Sequence, residues 1–376
     1  MSDNEGLQKV LDEIRKKESE LNQAIVKCAI VGQSGAGKSS LINGITGQRV
    51  AQVGVIETTM EPGIFRHGGI DFHDLPGCGT ANFPKDTYIK RFDLAAYDFV
   101  ILVTANRVYE NDVFLLTELH KHNVPIFLAR SKIDETIDSA QYDNGKSETE
   151  TIDEVRRNLM ESTKGVLDKV YLISSRNTQK WDFDSLLRDI AASQKGIKRD
   201  RFVADTTALS KEALEAKKVV AGKMVMWAAA SSAANALNPV PGLDISVDLG
   251  ILMSMCSKVN RIFGITEEHM NYLKVNQGLL GDPRYIAVAQ LATRHIANFA
   301  TKEGIIYAIK RFSNRLIIKS GSKYIPFVGT IVSAAVGYTL TNSFGQGFLD
   351  DACDIADKVL GVVRENAVGR HASTES

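Results

Sequence analysis

The sequence predicts an α/β domain built around a mostly parallel sheet, followed by an all-helical domain. Between residues 26 and 195, short apolar runs alternate with helical stretches, which is the pattern of βαβ units. After residue 195 the short apolar runs stop, and long helical patterns with capping residues at their starts replace them. The chain has 376 residues, which is enough for about two to three domains.

An amphipathic helix opens the chain, because apolar residues recur at spacings of three and four among charged ones over residues 4–25. We expect residues 1–25 to pack on the helical domain, with the α/β domain over 26–195 and the all-α domain over 196–376. Strands are predicted over 26–31, 70–73, 99–104, 125–129 and 170–173. Helices of the α/β domain are predicted over 38–46, 110–121 and 151–165.

A polar loop and the helices of the C-terminal domain complete the predicted elements. Residues 138–150 are polar and contain Asn144-Gly145, which predicts an exposed loop. In the C-terminal domain, helices are predicted over 205–235, 243–263, 266–280, 283–299, 302–319 and 348–366.

The composition excludes some classes of protein. The chain carries 45 Lys and Arg against 45 Asp and Glu, so its formal net charge is zero. A protein whose whole surface binds nucleic acid needs an excess of basic residues, so no nucleic-acid partner is expected. The four cysteines are far apart and no secretory leader is visible, which predicts a reduced, cytoplasmic protein.

A phosphate-binding loop follows the first predicted strand. Residues 32–39, Gly-Gln-Ser-Gly-Ala-Gly-Lys-Ser, match GxxxxGK[ST] at every fixed position and open a predicted helix. Backbone N–H groups in such a loop curl around phosphates, and the helix N-terminus adds partial positive charge. Lys38 would neutralise the β- and γ-phosphates, while the Ser39 hydroxyl would bind Mg²⁺. The predicted phosphate-contacting residues are Gly35, Ala36, Gly37, Lys38, Ser39 and Ser40.

A second motif, Asp74-Leu75-Pro76-Gly77, follows the predicted strand 70–73. After a phosphate loop, such an Asp holds Mg²⁺ and the glycine amide reaches the γ-phosphate. Between the two motifs, Thr59 is our first choice to complete the metal shell, and Thr58 is the alternative. The metal ligands predicted from the sequence are therefore Ser39, Thr59 and Asp74.

Residues 131–134, Ser-Lys-Ile-Asp, are similar to the [NT]KxD motif of GTPases. This motif predicts that the base of the bound nucleotide is guanine. The Asp134 carboxylate can accept hydrogen bonds from guanine N1–H and the exocyclic amine. Adenine has no such donor pair and would leave the carboxylate unpaired, at a cost of about 1–3 kcal/mol. The Lys132 stem would lie along the base, and Ser131, where Asn is commoner, predicts a weaker tether to the phosphate loop. The last guanine-contacting loop is predicted at Ser174, Ser175 and Arg176.

Hydrolysis is the open part of this interpretation. Small Ras-like GTPases orient the attacking water with a glutamine directly after the glycine of the second motif. Here that residue is Cys78, so hydrolysis is slow, another group positions water, or a partner supplies that group. Glu57 is a candidate water-orienting carboxylate, although a solvated loop glutamate explains it equally well. The candidate catalytic residues are Lys38, Glu57 and Thr59.

With these motifs in place, the chain resembles the immunity-related GTPases, the interferon-inducible family related to dynamins. The matching stretches are 32–40, 54–61, 74–88, 131–134, 174–183, 238–266 and 323–329. The resemblance implies a Ras-like P-loop GTPase domain with a helical domain, GTP or GDP and Mg²⁺ as cofactors, and activation by homodimerisation through the GTPase faces. It also implies cell-autonomous immunity at intracellular membranes. Lys38 places the chain in the lysine class, and the switch glutamate that this family ties to hydrolysis falls on Glu57.

The membrane expectation depends on three stretches of the helical domain. Residues 224–243 and 324–349 are long and uncharged, but polar residues, Pro and Gly interrupt them, which favours buried helices over membrane spans. Lys310, Arg311, Arg315, Lys319 and Lys323 predict a basic stripe on a helix. Such a stripe can bind anionic lipid at about 1 kcal/mol per basic residue or can be a solvated face. We expect a cytoplasmic protein that binds membranes peripherally.

Three hypotheses for function follow. The leading one is a self-activating GTPase that assembles on intracellular membranes. The alternative is a GTP-dependent scaffold with negligible hydrolysis, which Cys78 favours. A GTPase acting on ribosomes or RNA is disfavoured, because no basic domain with interleaved aromatic residues is present.

Overall fold

The computed structural model describes residues 2–52, 63–80, 82–237, 244–308 and 330–372. The chain divides into two units, each considered by itself. A sheet unit contains Ala24–Leu209, Val275–Gly278 and Val363–Ser376, and a helical unit contains Met1–Gln23, Ser210–Lys274 and Leu279–Val362.

Within the described residues, the sheet unit is built on six strands in the order β2-β3-β1-β4-β5-β6. All neighbouring pairs are parallel except β2 and β3, which are antiparallel. The strands are β1 (Val26–Val31), β2 (Gly63–His67), β3 (Ile70–Leu75), β4 (Phe99–Thr104), β5 (Ile126–Arg130) and β6 (Tyr171–Leu172). This architecture confirms the predicted fold class.

Helices connect these strands and form the second unit. In chain order they are α1 (Ser2–Gln23), α2 (Lys38–Thr46), α3 (Lys85–Arg91), α4 (Glu110–Lys121), α5 (Ile133–Asn144), α6 (Glu148–Ser162), α7 (Phe183–Ser193), α8 (Gly196–Asp205), α9 (Lys211–Leu237), α10 (Asp244–Ile262), α11 (Glu267–Asn276), α12 (Pro283–Phe299) and α13 (Thr330–Ala372). A short helical stretch also covers residues 302–308.

The sheet has an apolar core on each face, which explains why its strands appear in the sequence as continuous apolar runs. Along β1, Cys28 and Ile30 belong to one buried cluster, while Ala29 and Val31 belong to the other. The first cluster includes residues of α2, α7 and α8, and the second includes residues of α3, α4 and α5. The sheet therefore lies between two layers of helices.

Two local expectations require correction. The sequence did not predict β2, a strand with no fully buried side chain that pairs with β3 at the edge of the described sheet. The loop predicted over 138–150 is wrong, because α5 continues to Asn144 and α6 begins at Glu148. Gly145 ends α5 at φ 64° with its N–H bonded to the Gln141 carbonyl, so Asn-Gly here is a helix C-cap.

The helix α8 groups with the sheet unit, although residues 196–209 were assigned to the helical domain by the expected boundary at residue 195. Arg201 Nε lies 2.6 Å from Asp205 Oδ2, and both side chains are buried. The same carboxylate accepts the Gly69 N–H at 2.7 Å, in the turn between β2 and β3. The two opposite charges therefore neutralise each other inside the unit.

In the helical unit, α1 packs on α9. Leu11 lies in a buried cluster with Ala230, Ala233 and Ala234, and Lys258 Nζ of α10 lies 2.8 Å from Glu18 Oε1 of α1. Among the described residues, no helix combines the length and the apolarity that a membrane span requires. Residues 238–243 and the basic stripe from Lys310 to Lys323 lie outside the described residues.

Candidate functional site

The phosphate loop occupies the carboxyl end of β1, as its pattern predicts. Gly35 and Gly37 have φ values of 74° and 90°, in the left-handed region where glycine carries no side-chain penalty. The register of β1 with β3 pairs Ile30 with Asp74 and Val31 with Leu75. The second motif therefore ends at the same edge of the sheet as the loop.

Lys38 is buried at the start of α2, with only 4% of its surface exposed. Its Nζ donates to the carbonyl oxygens of Gly32 at 3.0 Å and Gln33 at 3.3 Å. The same nitrogen lies 3.7 Å from Asp74 Oδ1. The ammonium group therefore lies inside the curve of the phosphate loop and beside the predicted metal ligand.

Two of the predicted magnesium ligands meet directly. The Ser39 hydroxyl donates to Asp74 Oδ2 at 3.4 Å. A hydroxyl and a carboxylate suit Mg²⁺, which binds to few protein oxygens and keeps waters and substrate phosphates as its other ligands. In the described part of the chain, no cluster of three or more His, Cys, Asp or Glu side chains could form a different metal site.

The guanine motif is joined to the phosphate loop through Ser131. Its hydroxyl donates to the Ala36 carbonyl at 2.6 Å and lies 3.3 Å from the Thr104 carbonyl. Its backbone N–H also donates to Thr104 O at 2.9 Å. Serine thus makes a direct link from this position to the loop.

The segment that carries Asp134 is held by a residue that sequence reasoning missed. Lys132 has φ 55°, an uncommon left-handed conformation that starts α5. The buried Arg130 guanidinium donates to the Ser131 carbonyl and, at 2.8 Å, to Thr136 Oγ1, on either side of that turn. The available signal was a charged residue at the end of an otherwise apolar strand.

The predicted last guanine loop lies beside the same helix. Ser174 is buried, and its hydroxyl accepts backbone N–H groups of Arg176 at 3.2 Å and Asn177 at 3.3 Å. Arg176 Nη1 lies 3.4 Å from Glu135 Oε1, next to Asp134 in the chain. Ser175 lies between Ser174 and Arg176 in this loop. The ion pair between Arg176 and Glu135 therefore brings the two predicted base-binding segments together.

The side chain of Cys78, directly after Gly77, lies in the core of the unit. Cys78 is 1% exposed and belongs to the buried cluster that contains Leu75, Phe83 and Tyr88. Burial raises the pKa of the Cys78 thiol to about 12. The Tyr88 hydroxyl donates to the Pro76 carbonyl, which helps to hold the backbone before Gly77. The Cys78 side chain therefore contributes to the packing of the core and presents no polar group to the phosphate loop.

A cleft of about 530 Å³ lies beside the phosphate loop. It is lined by residues of the loop, of the β4–α4 connection and of α5, including Gln33, Ser34, Asn106, Tyr109, Lys132 and Glu135. Glu57, Thr58 and Thr59 fall in 53–62, which is outside the described residues.

This chain is similar to known proteins over most of its length. A model of the interferon-inducible GTPase (IIGP) family matches residues 1–318. Interferon-inducible GTPase 5 of Bos taurus is 28% identical over 350 residues, covering 89% of this chain and 74% of that protein. T-cell-specific guanine nucleotide triphosphate-binding protein 2 of Mus musculus is 25% identical over 388 residues, covering 98% and 89%.

Among solved structures, a crystal structure of a probable GTP-binding protein engB has a TM-score of 0.32 and 18% identity, covering 45% of this chain and 98% of that one. The family match alone covers most of the 376 residues. The chain therefore belongs to the interferon-inducible, immunity-related GTPase family and is a GTPase.

Proposed function

We propose that this GTPase binds GTP with Mg²⁺, hydrolyses it to GDP and phosphate, and is activated by self-assembly. The observation that carries the proposal is the Ser131–Ala36 hydrogen bond of 2.6 Å, which holds the guanine motif against the phosphate loop. Only a ligand with both a base and phosphates uses the two motifs at once. The name of the Mus musculus relative, a guanine nucleotide triphosphate-binding protein, supports this ligand.

The phosphates would lie against the backbone of residues 35–40, where Lys38 offsets their negative charge. Ser39 and Asp74 would hold Mg²⁺, with Thr59, or alternatively Thr58, as a third protein ligand. When bound, the metal neutralises charge on the β- and γ-phosphate oxygens. The carboxylate of Asp134 would read the guanine edge, and the turn that Arg130 braces would set its position.

Water attacks the γ-phosphate in this reaction, giving GDP, phosphate and a proton. Cys78 cannot orient that water, because its side chain lies in the core and carries no carboxamide. The group must come from elsewhere, and Glu57 or a residue of a second molecule is our candidate. Activation by a second copy would follow, with the zero net charge offering little resistance to association.

The place of assembly is part of the same proposal. The cleft beside the phosphate loop offers polar groups at the rim of the nucleotide site, where a second GTPase unit could contribute a side chain. The family relationship supports action in immunity, and we propose that this action takes place peripherally at intracellular membranes. Liposome co-sedimentation with GTP, GDP or no nucleotide, across salt concentrations, tests the membrane part. Pelleting that depends on neither nucleotide nor anionic lipid would contradict it.

The experiment for the enzymatic part is GTP turnover over a hundredfold range of protein concentration. Self-activation predicts that turnover per molecule rises with concentration, while Lys38→Ala binds no nucleotide and shows no turnover. Lys121→Ala, an exposed lysine on α4, is the matched control and should behave as wild type. A constant turnover per molecule would refute self-activation.

A second candidate function is a GTP-dependent scaffold, which the burial of Cys78 favours. In single-turnover assays with GTP, the scaffold predicts that wild type and Glu57→Ala retain GTP equally. The hydrolase predicts that wild type converts GTP to GDP and that the variant is slower.

A further inference from the structure

The segment that would sense the γ-phosphate is covered by a side chain from the phosphate loop. An ideal Cβ on Gly77 would lie 2.8 Å from Oε1, 2.9 Å from Cδ and 3.0 Å from Nε2 of Gln33. All three carboxamide atoms are thus nearly equidistant from that point. The carboxamide therefore lies over the Cα of Gly77 and occupies the space that a side chain there would fill.

Gln33 extends from a fixed point of the phosphate loop. Its carbonyl accepts the Ala36 N–H at 3.1 Å and the Lys38 ammonium at 3.3 Å. Its side chain is half-buried and also lines the cleft beside the loop. The loop backbone that would bind phosphate is therefore connected, through one side chain, to the backbone of Gly77.

The residue after Gly77 is also fixed. Cys78 is buried in the core cluster, and a Cβ on Gly79 would overlap the Asn111 carboxamide of α4. Gly79 N–H donates to the Phe83 carbonyl at 2.8 Å. With this side of the segment held, Gln33 restricts the remaining freedom of Gly77, which by itself has wide backbone freedom.

We propose that Gln33 is a positioning residue for the contact between Gly77 and the γ-phosphate. Its carboxamide backs the Cα of Gly77 and holds the Gly77 N–H where it meets the terminal phosphate of GTP. A donor fixed in advance stabilises developing charge without reorganisation. The role rests on the proposed function, in which Gly77 contacts the γ-phosphate. Because GDP has no γ-phosphate, the contact matters for the triphosphate only.

The test compares wild type, Gln33→Ala, Gln33→Met and the matched control Gln141→Ala, an exposed glutamine of α5. The measurements are Kd for GDP, Kd for a nonhydrolysable GTP analogue, and the single-turnover rate of GTP hydrolysis. We expect Gln33→Ala to weaken analogue binding and to slow hydrolysis by about tenfold, with GDP affinity unchanged. Gln33→Met, of similar length, restores most of both losses because it still covers Gly77.

A double variant tests the contact itself. Gly77→Ala alone displaces the Gln33 carboxamide from its place over Gly77, whereas in Gln33→Ala/Gly77→Ala the methyl group fills space that is already vacant. The loss in analogue binding should therefore be smaller than the sum of the two single losses.

Three results would overturn the proposal: additive losses in the double variant, an equal loss of GDP and analogue affinity in Gln33→Ala, or no effect of Gln33→Ala on any measurement. If the wild type is active and Gln33→Ala changes no measurement, the role of Gln33 is refuted but the proposed function is not. A wild type that binds no guanine nucleotide defeats the proposed function instead. Melting temperatures of all variants show whether each one folds.

Discussion

The Ser131 hydroxyl donates a 2.6 Å hydrogen bond to the Ala36 carbonyl, across 95 residues of sequence. Both groups are buried. The bond joins the loop predicted to hold phosphate to the motif predicted to read the base. The bond therefore holds the two motifs together within the folded unit.

Removing this bond should weaken nucleotide binding. Ser131→Ala leaves the Ala36 carbonyl without the hydroxyl, at a cost of about 1 kcal/mol or roughly fivefold in Kd for both GTP and GDP. Titration with a fluorescent guanine nucleotide measures the change. Ser162→Ala, which removes an exposed helix hydroxyl, is the control. Equal affinities of Ser131→Ala and wild type would show that the bond is dispensable.

Asp134 should decide which base is accepted. In Asp134→Asn, one acceptor becomes a donor, which no longer suits the guanine amine but suits the carbonyl of xanthine. We expect GTP affinity to fall at least about tenfold and xanthosine triphosphate affinity to rise, because a mismatched buried polar pair costs about 1–3 kcal/mol. Asp138→Asn, an exposed residue on the same helix, should change neither. An unchanged preference for GTP would exclude Asp134 from the base site.

The buried pair Arg201–Asp205 should be a strong determinant of stability. Asp205→Ala leaves a buried guanidinium without its partner and the Gly69 N–H without its acceptor. We expect a loss of about 3–5 kcal/mol in the free energy of unfolding by urea. Glu154→Ala removes the exposed partner of Lys146 and should cost at most about 1 kcal/mol. Similar losses in both variants would contradict the burial argument.

Acidification should destabilise the helical unit through His295. This side chain stacks on Phe348 with ring centroids 4.6 Å apart, and burial lowers its pKa from 6.5 to about 4. The unfolded chain therefore binds a proton that the folded one does not, so stability is complete above pH 6.5 and falls towards pH 4.

Urea unfolding of the full chain at a series of pH values measures this contribution. His295→Phe should remove a loss on the order of 3 kcal/mol between these pH values. His122→Phe, at an exposed site, should leave the pH profile as in wild type. An unchanged profile in His295→Phe would refute the assignment.

Thiol reactivity reports the inward orientation of Cys78. Cys28, Cys78 and Cys256 are buried and Cys353 is half-buried, and burial raises the pKa of all four thiols. Because the reagent reaches a half-buried sulfur more readily than a buried one, an aromatic disulfide reagent at pH 8 should label Cys353 first in the native protein. In Cys353→Ser this fast phase should disappear. Rapid labelling of Cys78 would show that it faces solvent.

Much of the sheet unit could be predicted, because local chemistry alone signals its elements. The strands β1 and β4 coincide with apolar runs in the sequence, and the phosphate loop is a contiguous pattern. The edge strand β2 could not be recognised, since its half-exposed side chains give no apolar run. The end of α5 was misread because Asn-Gly terminates helices as well as forming turns.

Short motifs in the sequence predict which residues contact phosphate, metal and base, because each motif carries its chemistry within a few adjacent positions. The folded unit adds four relationships: Ser131 reaches Ala36, Arg130 braces the guanine motif, Cys78 faces the core and Gln33 covers Gly77. The Ser131–Ala36 and Gln33–Gly77 relationships join residues far apart in the chain, whereas Arg130 braces residues close to it in sequence. They depend on strand register and close packing, which fix distances that no local pattern encodes.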